Sequence, residues 1–277
     1  YVSPDSADVW ADPHLFELDD ACRLRRVAGV PPDAFSAEGQ LWGNPLYDWA
    51  YHEKTGYEWW TKRLSAALQL YDEVRIDHFR GFDSYWAIPA TAQSAMSGEW
   101  CVGPGMKLFC ALEARLGRLP IVAEDLGILT AGVRELQKAS GYPGMAVLQF
   151  AFGGSAANEY LPHNHDKNTV VYTGTHDNTT TKDWFASESK KTLTHAREYL
   201  CIHAEDDVVW AMVNAAEKSC ANTCILPIGD LLSLGREGRI NVPATLGSNW
   251  DWRLKPELLT GALLQKLYAL TAQCGRI

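Results

Sequence analysis

The sequence predicts an α/β fold in which parallel strands alternate with helices. Three observations support this prediction: short apolar strands recur along the chain, helical patterns separate them, and three of the strands end in acidic residues. Strands that alternate with helical segments are typical of βα units and a parallel sheet. We predict five such strands between Val74 and Leu226, which are too few to close an eight-stranded barrel.

The N-terminal part of the chain predicts loops and short turns. Segments 6–10 and 13–16 suggest short helical turns, and segment 19–27 fits either a strand pair or a turn region. Segment 30–47 is long and rich in Pro, Gly and aromatic residues. Long loops inside compact domains usually form lids or binding loops. We therefore expect an aromatic substrate loop at about 30–50.

The stretch that follows a predicted helix at about 57–71 is the most informative one. Val74 and Ile76 alternate with Arg75 and Asp77, and this period of two predicts a short strand at 74–79. Residues two apart on a strand share a face, so Arg75 should lie beside Asp77. A neighbouring cation lowers the pKa of a carboxylate and keeps it ionised. A structural ion pair at a strand edge is the alternative explanation.

The remaining elements follow in order, with segment 82–104 predicted to be irregular. Apolar spacing and flanking Gly and Pro residues predict helices, and short apolar runs predict strands. The predicted helices are at 108–116, 131–139, 194–203, 206–217 and from 254 onward, and the predicted strands are at 121–127, 145–152, 168–179 and 223–226.

Composition places the chain among ordinary globular proteins. It has 277 residues, of which 47% are hydrophobic and 21% charged, enough material for a large core. The net charge of −9 argues against nucleic acid or an anionic membrane surface as a partner. No apolar run approaches the ~20 residues that a membrane-spanning helix needs.

The seven cysteines do not form a metal or disulfide pattern. Only Cys220 and Cys224 are close, and this spacing without nearby histidines is a poor zinc motif. We expect reduced core thiols in a cytosolic protein.

Aromatic residues are abundant, with eleven Trp and eleven Tyr. Aromatic faces stack on the apolar faces of sugar rings, although core packing explains them equally well. Trp42, Tyr47 and Trp49 are the candidate exposed rings of the predicted loop, and hydrophobic anchoring is the competing explanation for each.

Acidic side chains end three of the predicted strands: Asp77, Glu124 with Asp125, and Asp177. In a parallel barrel all strand C-termini open on one face, so these residues should converge there. Three carboxylates at one rim suit coordination of Mg²⁺ or Ca²⁺. They equally suit glycoside cleavage, with one carboxylate as nucleophile and another as proton donor.

The neighbours of these acids favour glycoside chemistry over a metal site. Arg75 and His176 add positive charge beside two of the acids, which disfavours a divalent cation. An apolar run, 121–123, leads to Glu124. Burial against such neighbours raises the pKa of a carboxyl group, as a general acid requires.

Five segments in order resemble motifs of the 4-α-glucanotransferases, the amylomaltase or disproportionating enzymes of the α-amylase clan. They extend over nearly the whole chain, which makes the resemblance specific. Three resemble the catalytic motifs, one the substrate loop and one a C-terminal signature: Val74–Phe82, Ala123–Gly127, Gly174–Asn178, Gln40–Tyr47, and Asn241–Thr245 with Asn249–Arg253.

The resemblance implies a role for each matching residue. It implies that Asp77 is the nucleophile, that Glu124 is the general acid/base, and that Asp177 holds sugar hydroxyls and stabilises the transition state. It further implies that substrate is bound by Arg75, His176 and Asn241, and by Trp42 at the acceptor side. In this family another glucan's 4-hydroxyl opens the glycosyl-enzyme ester, and no metal or organic cofactor is implied.

The resemblance also implies a (β/α)₈ TIM barrel that is incomplete at the N-terminus. Residues 1–277 would form the C-terminal portion of the catalytic barrel domain, with about strands three to eight present. Tyr1-Val2 resembles the end of strand three. The sequence departs from the family at Thr179, where an acid is usual, and at Lys182-Asp183, where a glycine is common. These departures question the shape of the loop after Asp177.

Three functional hypotheses remain open at this point. The first is transfer of α-1,4-glucan segments between maltooligosaccharide or starch- and glycogen-derived chains, with a retaining mechanism. The second is a hydrolase of the same clan, because the carboxylates do not distinguish water from a sugar acceptor. The third is an inactive fragment with residual glucan binding. The expected partners are α-1,4-glucans and maltooligosaccharides, without nucleic acid, membrane or an obligate protein partner. The expected location is cytoplasmic, or plastidic for a plant or alga.

Overall fold

A computed structural model describes residues 2–32, 36–127 and 129–277. The chain divides into two compact units, Tyr1–Pro143 and Gly144–Ile277, referred to below as the first and second unit. Part of the predicted substrate loop, residues 33–35, lies outside the described residues.

The first unit contains both antiparallel and parallel strands. A four-stranded antiparallel sheet has the order β2-β1-β4-β5, and β3 pairs in parallel with β6. The strands are β1 (Arg26–Val30), β2 (Gln40–Pro45), β3 (Val74–Ile76), β4 (Ser84–Pro89), β5 (Glu99–Val102) and β6 (Ile121–Ala123). The helices are α1 (Ala7–Ala11), α2 (Trp49–Lys54), α3 (Glu58–Leu68), α4 (Met106–Leu116) and α5 (Ala131–Ser140).

The antiparallel sheet corrects two predictions. Segment 82–104 was expected to be irregular but contains β4 and β5, and the segment expected to be a long loop contains β2. The first three residues of β2 are exposed, so this strand shows no alternation of apolar and polar residues. The undecided region at 19–27 is a turn that leads into β1. Strands without a distinct buried face give no periodic signal.

Aromatic packing forms the core of the first unit. The rings of Phe79 and Phe109 are fully buried and stack with centroids 5.4 Å apart. Tyr47 and Trp49 pack against this core, so hydrophobic anchoring is the correct explanation for both, whereas Trp42 is 38% exposed. Of the three candidate rings, Trp42 is the one available to a ligand.

The second unit has a three-stranded parallel sheet with the order β7-β8-β9. Its strands are β7 (Gly144–Val147), β8 (Thr169–Tyr172) and β9 (Thr223–Ile225). Its helices are α6 (Thr181–Ser187), α7 (Lys190–Tyr199), α8 (Val208–Glu217), α9 (Ile228–Leu231) and α10 (Gly261–Gln273). All residues of β7 are buried, as expected for a strand covered on both faces. The prediction of five parallel strands after residue 74 is confirmed by β3, β6, β7, β8 and β9.

The cysteines are free, but they are not core thiols. Cys22, Cys110, Cys201 and Cys220 are exposed, and the other three are half-buried. The prediction of a core location is therefore wrong, because sequence spacing contains no information about the exposure of an isolated thiol.

Across the described residues, none of the helices combines the length and the apolar character that a bilayer crossing requires.

His52 should make the stability of the fold depend on pH. The side chain is fully buried, its Nε2 lies 3.1 Å from the carbonyl oxygen of Leu15, and burial lowers its pKa to about 4. In the unfolded chain His52 binds a proton near pH 6.5, whereas in the folded chain it does so only near pH 4. The free energy of unfolding therefore falls as the pH drops from about 6.5 to about 4. For this group we expect a loss on the order of 2 kcal/mol between pH 7 and pH 5.

Urea unfolding at the two pH values measures this loss. His52→Gln should flatten the dependence, whereas His203→Gln, which changes an exposed histidine, should leave it unchanged. Equal pH dependence in the unsubstituted protein and in His52→Gln would contradict the assignment.

Candidate active site

Asp77 and Glu124 directly follow two paired parallel strands. The register places Ile76 opposite Ala123, so the next residue on each strand is one of the two acids. The Glu124 N–H donates to the Ile76 carbonyl at 2.9 Å, and the Phe79 N–H donates to the Glu124 carbonyl at 2.9 Å. These main-chain bonds fix both acids at the same end of the β3–β6 pair.

Asp77 forms the predicted ion pair with Arg75. The Arg75 Nη1 donates to Asp77 Oδ1 at 2.7 Å, and the Asp77 side chain is 77% exposed. The expected contact between these two side chains is therefore confirmed. A carboxylate that is held on one side by a guanidinium and open to solvent is accessible to a substrate.

Two main-chain amides hold the carboxyl group of Glu124. The His78 N–H donates to Oε2 at 2.6 Å, and the Leu126 N–H donates to Oε1 at 3.0 Å. His78 reaches this position because its backbone is left-handed, with φ 50° and ψ 50°. Histidine adopts this region more readily than most residues other than glycine, and here the conformation directs the His78 N–H at the Glu124 carboxyl group.

The pKa of Glu124 is raised above its usual value. Burial is the largest cause and the nearby charge of Asp77 is the second, while the amides of Leu126 and His78 and the Arg75 charge act in the opposite direction. The predicted direction of the shift is confirmed. A carboxyl group of raised pKa beside an accessible carboxylate is the arrangement that acid-assisted cleavage requires.

Trp42 contacts the ring of His78, the residue that follows Asp77 and donates its main-chain N–H to Glu124. The centroid of its indole is 4.8 Å from the His78 ring centroid, at an interplanar angle of 88°. The indole N–H donates to Gln40 Oε1 at 3.1 Å. Within the first unit, the structure therefore brings together Asp77, Glu124, Arg75 and Trp42, four of the seven residues proposed from the sequence.

The second unit contains the other three, around Asp177. The Asn241 side-chain amide donates to Asp177 Oδ1 at 2.7 Å, and Arg239 Nη2 donates to the Asp177 carbonyl at 2.9 Å. His176 Nε2 lies 3.3 Å from Asp177 Oδ2, and its ring lies 5.5 Å from that of Trp250. The segment around Asn241 thus orients the Asp177 carboxylate.

A buried carboxylate, Asp230 on α9, fixes both ends of the loop that presents Asp177. It is 1% exposed and accepts hydrogen bonds from the Thr173 hydroxyl at 2.6 Å, the Thr181 N–H at 2.7 Å and the Thr181 hydroxyl at 2.7 Å. Thr173 follows β8 and Thr181 begins α6. The buried Gln149 adds a bond from its amide to the Thr179 carbonyl at 2.9 Å.

The family departures after Asp177 contact each other. The Thr179 hydroxyl donates to Asp183 Oδ2, and Asp183 lies in the first turn of α6. An acid in that turn interacts favourably with the helix N-terminus. Thr179 and Asp183 therefore form a local pair that links the loop to α6.

Sequence reasoning missed His78, Gln149, Arg239 and Asp230 as parts of these sites. A signal was present for Asp230, because it is the one acid in the apolar run 225–232. Buried carboxylates need hydrogen-bond partners, so such an acid indicates a polar network. No comparable signal marks Gln149, because a glutamine after a strand is exposed as often as it is buried.

Within residues 2–32, 36–127 and 129–277, no cluster of three His, Cys, Asp or Glu side chains could hold a metal ion.

Comparison with known proteins identifies related sequences. Residues 1–260 match the family described as 4-alpha-glucanotransferase. A 4-alpha-glucanotransferase of Clostridium butyricum is 49% identical over 278 residues, covering 100% of this chain and 57% of the relative. A chloroplastic/amyloplastic 4-alpha-glucanotransferase of Arabidopsis thaliana is 52% identical over 254 residues, covering 92% of this chain and 44% of the relative.

A solved structure shows the same fold. The amylomaltase from Streptococcus agalactiae in complex with acarbose matches 99% of this chain with a TM-score of 0.96 and 37% identity. The match covers 56% of that protein. The chain thus spans about half the length of the curated relatives and of the solved structure that it matches.

Proposed function

This chain belongs to the 4-alpha-glucanotransferase family, and we propose that it contributes the catalytic residues of an enzyme that transfers α-1,4-glucan segments between glucan chains. One observation supports this most strongly. Glu124, a carboxyl group of raised pKa held by two main-chain amides, lies beside the accessible carboxylate of Asp77. The proposed substrates are maltooligosaccharides and starch- or glycogen-derived glucans.

The proposed reaction is a double displacement with retention. Asp77 attacks the anomeric carbon while Glu124 gives its proton to the leaving glycosidic oxygen, which releases the first glucan segment and leaves a glycosyl ester on Asp77. Glu124, now ionised, takes the proton from the 4-hydroxyl of a second glucan. That oxygen attacks the anomeric carbon and displaces Asp77, which restores both carboxyl groups to their starting states.

The other predicted residues receive supporting roles. Arg75 would keep Asp77 oriented through their 2.7 Å contact. Asp177, oriented by Asn241, would hold sugar hydroxyls and stabilise positive charge in the transition state, and His176 would bind a hydroxyl group. Trp42, partly exposed, would offer its ring to the acceptor sugar.

The proposed scaffold is a (β/α)₈ barrel of which this chain supplies about strands three to eight. The parallel pair β3–β6 and the parallel sheet β7–β8–β9, with acidic residues in the loops after β3, β6 and β8, fit such a barrel. The remaining strands would correspond to the part of the relatives that this chain does not cover. Residues 1–277 would then be one portion of a single catalytic domain.

Maltotriose distinguishes transfer from hydrolysis. With the full-length protein that contains this chain, we expect glucose together with maltotetraose and longer products, because a sugar hydroxyl opens the ester. Chromatography of the products over time measures this. Glucose and maltose without longer products would contradict transfer and favour the hydrolase.

The same assay on the isolated 277-residue chain tests the inactive-fragment hypothesis. Within the described residues, β9 is an edge strand of its sheet and its Ile225 is exposed, and uncovered strand edges favour aggregation over function. We therefore expect weak or absent transfer by the chain alone. Efficient transfer by the isolated chain would contradict the proposal of an incomplete barrel.

A further inference from the structure

We infer that His78 is a positioning residue whose imidazole seats Trp42 beside the Asp77–Glu124 pair and thereby favours a sugar hydroxyl over water as the acceptor. The inference concerns a residue that lies between the acids and the proposed acceptor ring. It rests on the proposed function, and the measurements below separate the two.

The main chain of His78 binds the acid/base, whatever its side chain does. Its left-handed backbone, φ 50° and ψ 50°, directs the N–H to Glu124 Oε2 at 2.6 Å. The His78 carbonyl accepts the Gly81 N–H at 2.9 Å. A left-handed residue other than glycine is costly unless its surroundings require it. The backbone role alone would therefore be met by glycine or asparagine, and the imidazole needs a separate explanation.

The imidazole fills a space between Gly81 and Trp42. A Cβ atom at Gly81 would lie 3.2 Å from His78 Cδ2, so the glycine leaves room for the ring. On the indole side, the two ring centroids are 4.8 Å apart at 88°, the edge-to-face geometry that aromatic pairs prefer. The ring thus occupies the space between the Gly81 backbone and the indole.

Trp42 depends on this contact for its orientation. It lies on β2, one of the two edge strands of the antiparallel sheet, and is 38% exposed. Its indole N–H donates to Gln40 Oε1, and its ring meets the His78 ring edge to face. Removal of the imidazole would take away the edge-to-face contact and loosen the orientation of the indole.

The charge state of His78 suits this role. Burial lowers its pKa to about 4, with the Arg80 charge acting in the same direction and Asp77 in the opposite one. The ring is therefore neutral at pH 7 and can pack against the indole without the desolvation of a positive charge.

An oriented indole affects the second chemical step more than the first. Once the glycosyl ester has formed on Asp77, Glu124 can deprotonate either a sugar hydroxyl or water. A fixed aromatic face binds the sugar ring of the acceptor and occupies space that water would otherwise take. A mobile indole loses both effects while the first step, cleavage of the donor, proceeds as before.

The test substitutes His78→Asn in the full-length protein. Asparagine tolerates left-handed backbone, so the bond from residue 78 to Glu124 remains while the ring is removed. We expect the ratio of transfer to hydrolysis with maltotriose to fall roughly two- to tenfold, the range that loss of one aromatic contact implies. Fluoride release from α-maltosyl fluoride, which reports donor cleavage, should change less than the ratio.

An NMR measurement tests the contact without relying on activity. With ¹⁵N-labelled tryptophan, the indole N–H signal of Trp42 is assigned by its absence in Trp42→Phe. It should shift in His78→Asn and stay in place in His14→Asn, since His14 contacts Tyr51 instead. His78→Phe, which restores an aromatic ring, should return both the signal and the ratio toward those of the unsubstituted protein.

Each result has a defined meaning. An unshifted Trp42 signal in His78→Asn overturns the contact. A shifted signal with an unchanged ratio, or donor cleavage that falls as much as transfer, overturns the acceptor role. If the unsubstituted protein cleaves no glucan, the proposed function and the acceptor role both fail, while the indole signal still decides the contact.

Discussion

Replacing Asp77 with alanine should lower glucan turnover by roughly 10⁴-fold or more, the size of effect seen when a nucleophile is removed. The carboxylate is accessible and ion-paired with Arg75, and it is the group that the proposed mechanism uses to form the ester. Binding of maltooligosaccharides should remain largely intact, because the aromatic and hydroxyl-binding groups are unchanged. Initial rates with maltotriose and calorimetric titration with maltooligosaccharides measure the two effects.

Asp72→Asn is the matched control. Asp72 is an exposed acid just before β3, and its substitution should leave turnover within a factor of about two, as for most exposed sites. An Asp77→Ala protein with normal rates would remove the nucleophile assignment. Loss of binding together with rate would indicate a folding defect, which the unfolding midpoint reveals.

The same variant tests the electrostatic coupling between the two acids. The charge of Asp77 is the second cause of the raised pKa of Glu124, after burial. Removing that charge should therefore lower the pKa of Glu124 toward its usual value while leaving it above that value.

The parallel strands β6 and β7 could be predicted from sequence because their buried residues form continuous apolar runs. In β6 and β7 every residue is buried, and continuous apolar runs of this kind stand out against polar loops. The antiparallel strand β2 could not be predicted in this way. Its first half is exposed on both faces, so its existence depends on pairing with β1 rather than on a local pattern.

The candidate site shows the same division. Asp77 and Glu124 could be predicted because each follows an apolar strand, where a parallel fold places its functional groups. The partners of Asp230 could not, because Thr181 and Thr173 lie 49 and 57 residues away in the sequence. Contacts over such distances arise from tertiary packing and leave no trace in local periodicity.

His78 is an intermediate case. It lies next to Asp77 within the segment Val74–Phe82, but its functions follow from a left-handed backbone that sequence does not reveal. Histidine enters that region more readily than most residues other than glycine. One residue can thus bind Glu124 through its amide and contact Trp42 through its ring, and this links the predicted acid/base to the predicted acceptor side.

Replacing Glu124 with glutamine should lower turnover of maltotriose by roughly 10²- to 10⁴-fold, the usual contribution of general acid–base catalysis. The amide cannot donate the proton that the leaving sugar oxygen needs. Formation of the ester from α-maltosyl fluoride should be affected far less, because fluoride departs without protonation. Stopped-flow measurement of the fluoride burst separates this step from the later attack by the acceptor. Glu73→Gln, which changes an exposed acid before β3, is the matched control.

The pH dependence gives the assignment of Glu124 a second, independent test. Its carboxyl group must be protonated for donor cleavage, and burial together with the Asp77 charge raises its pKa. The value of kcat/KM for maltotriose should therefore fall on the alkaline side at a pH above the ordinary range of a glutamic acid, because the proton is lost there. Asp77→Asn is too inactive for this profile, but ¹³C NMR of the Glu124 carboxyl group in that variant should show a lower pKa than in the unsubstituted protein. If the alkaline limb persists unchanged with α-maltosyl fluoride in Glu124→Gln, another group titrates there and Glu124 is not the proton donor.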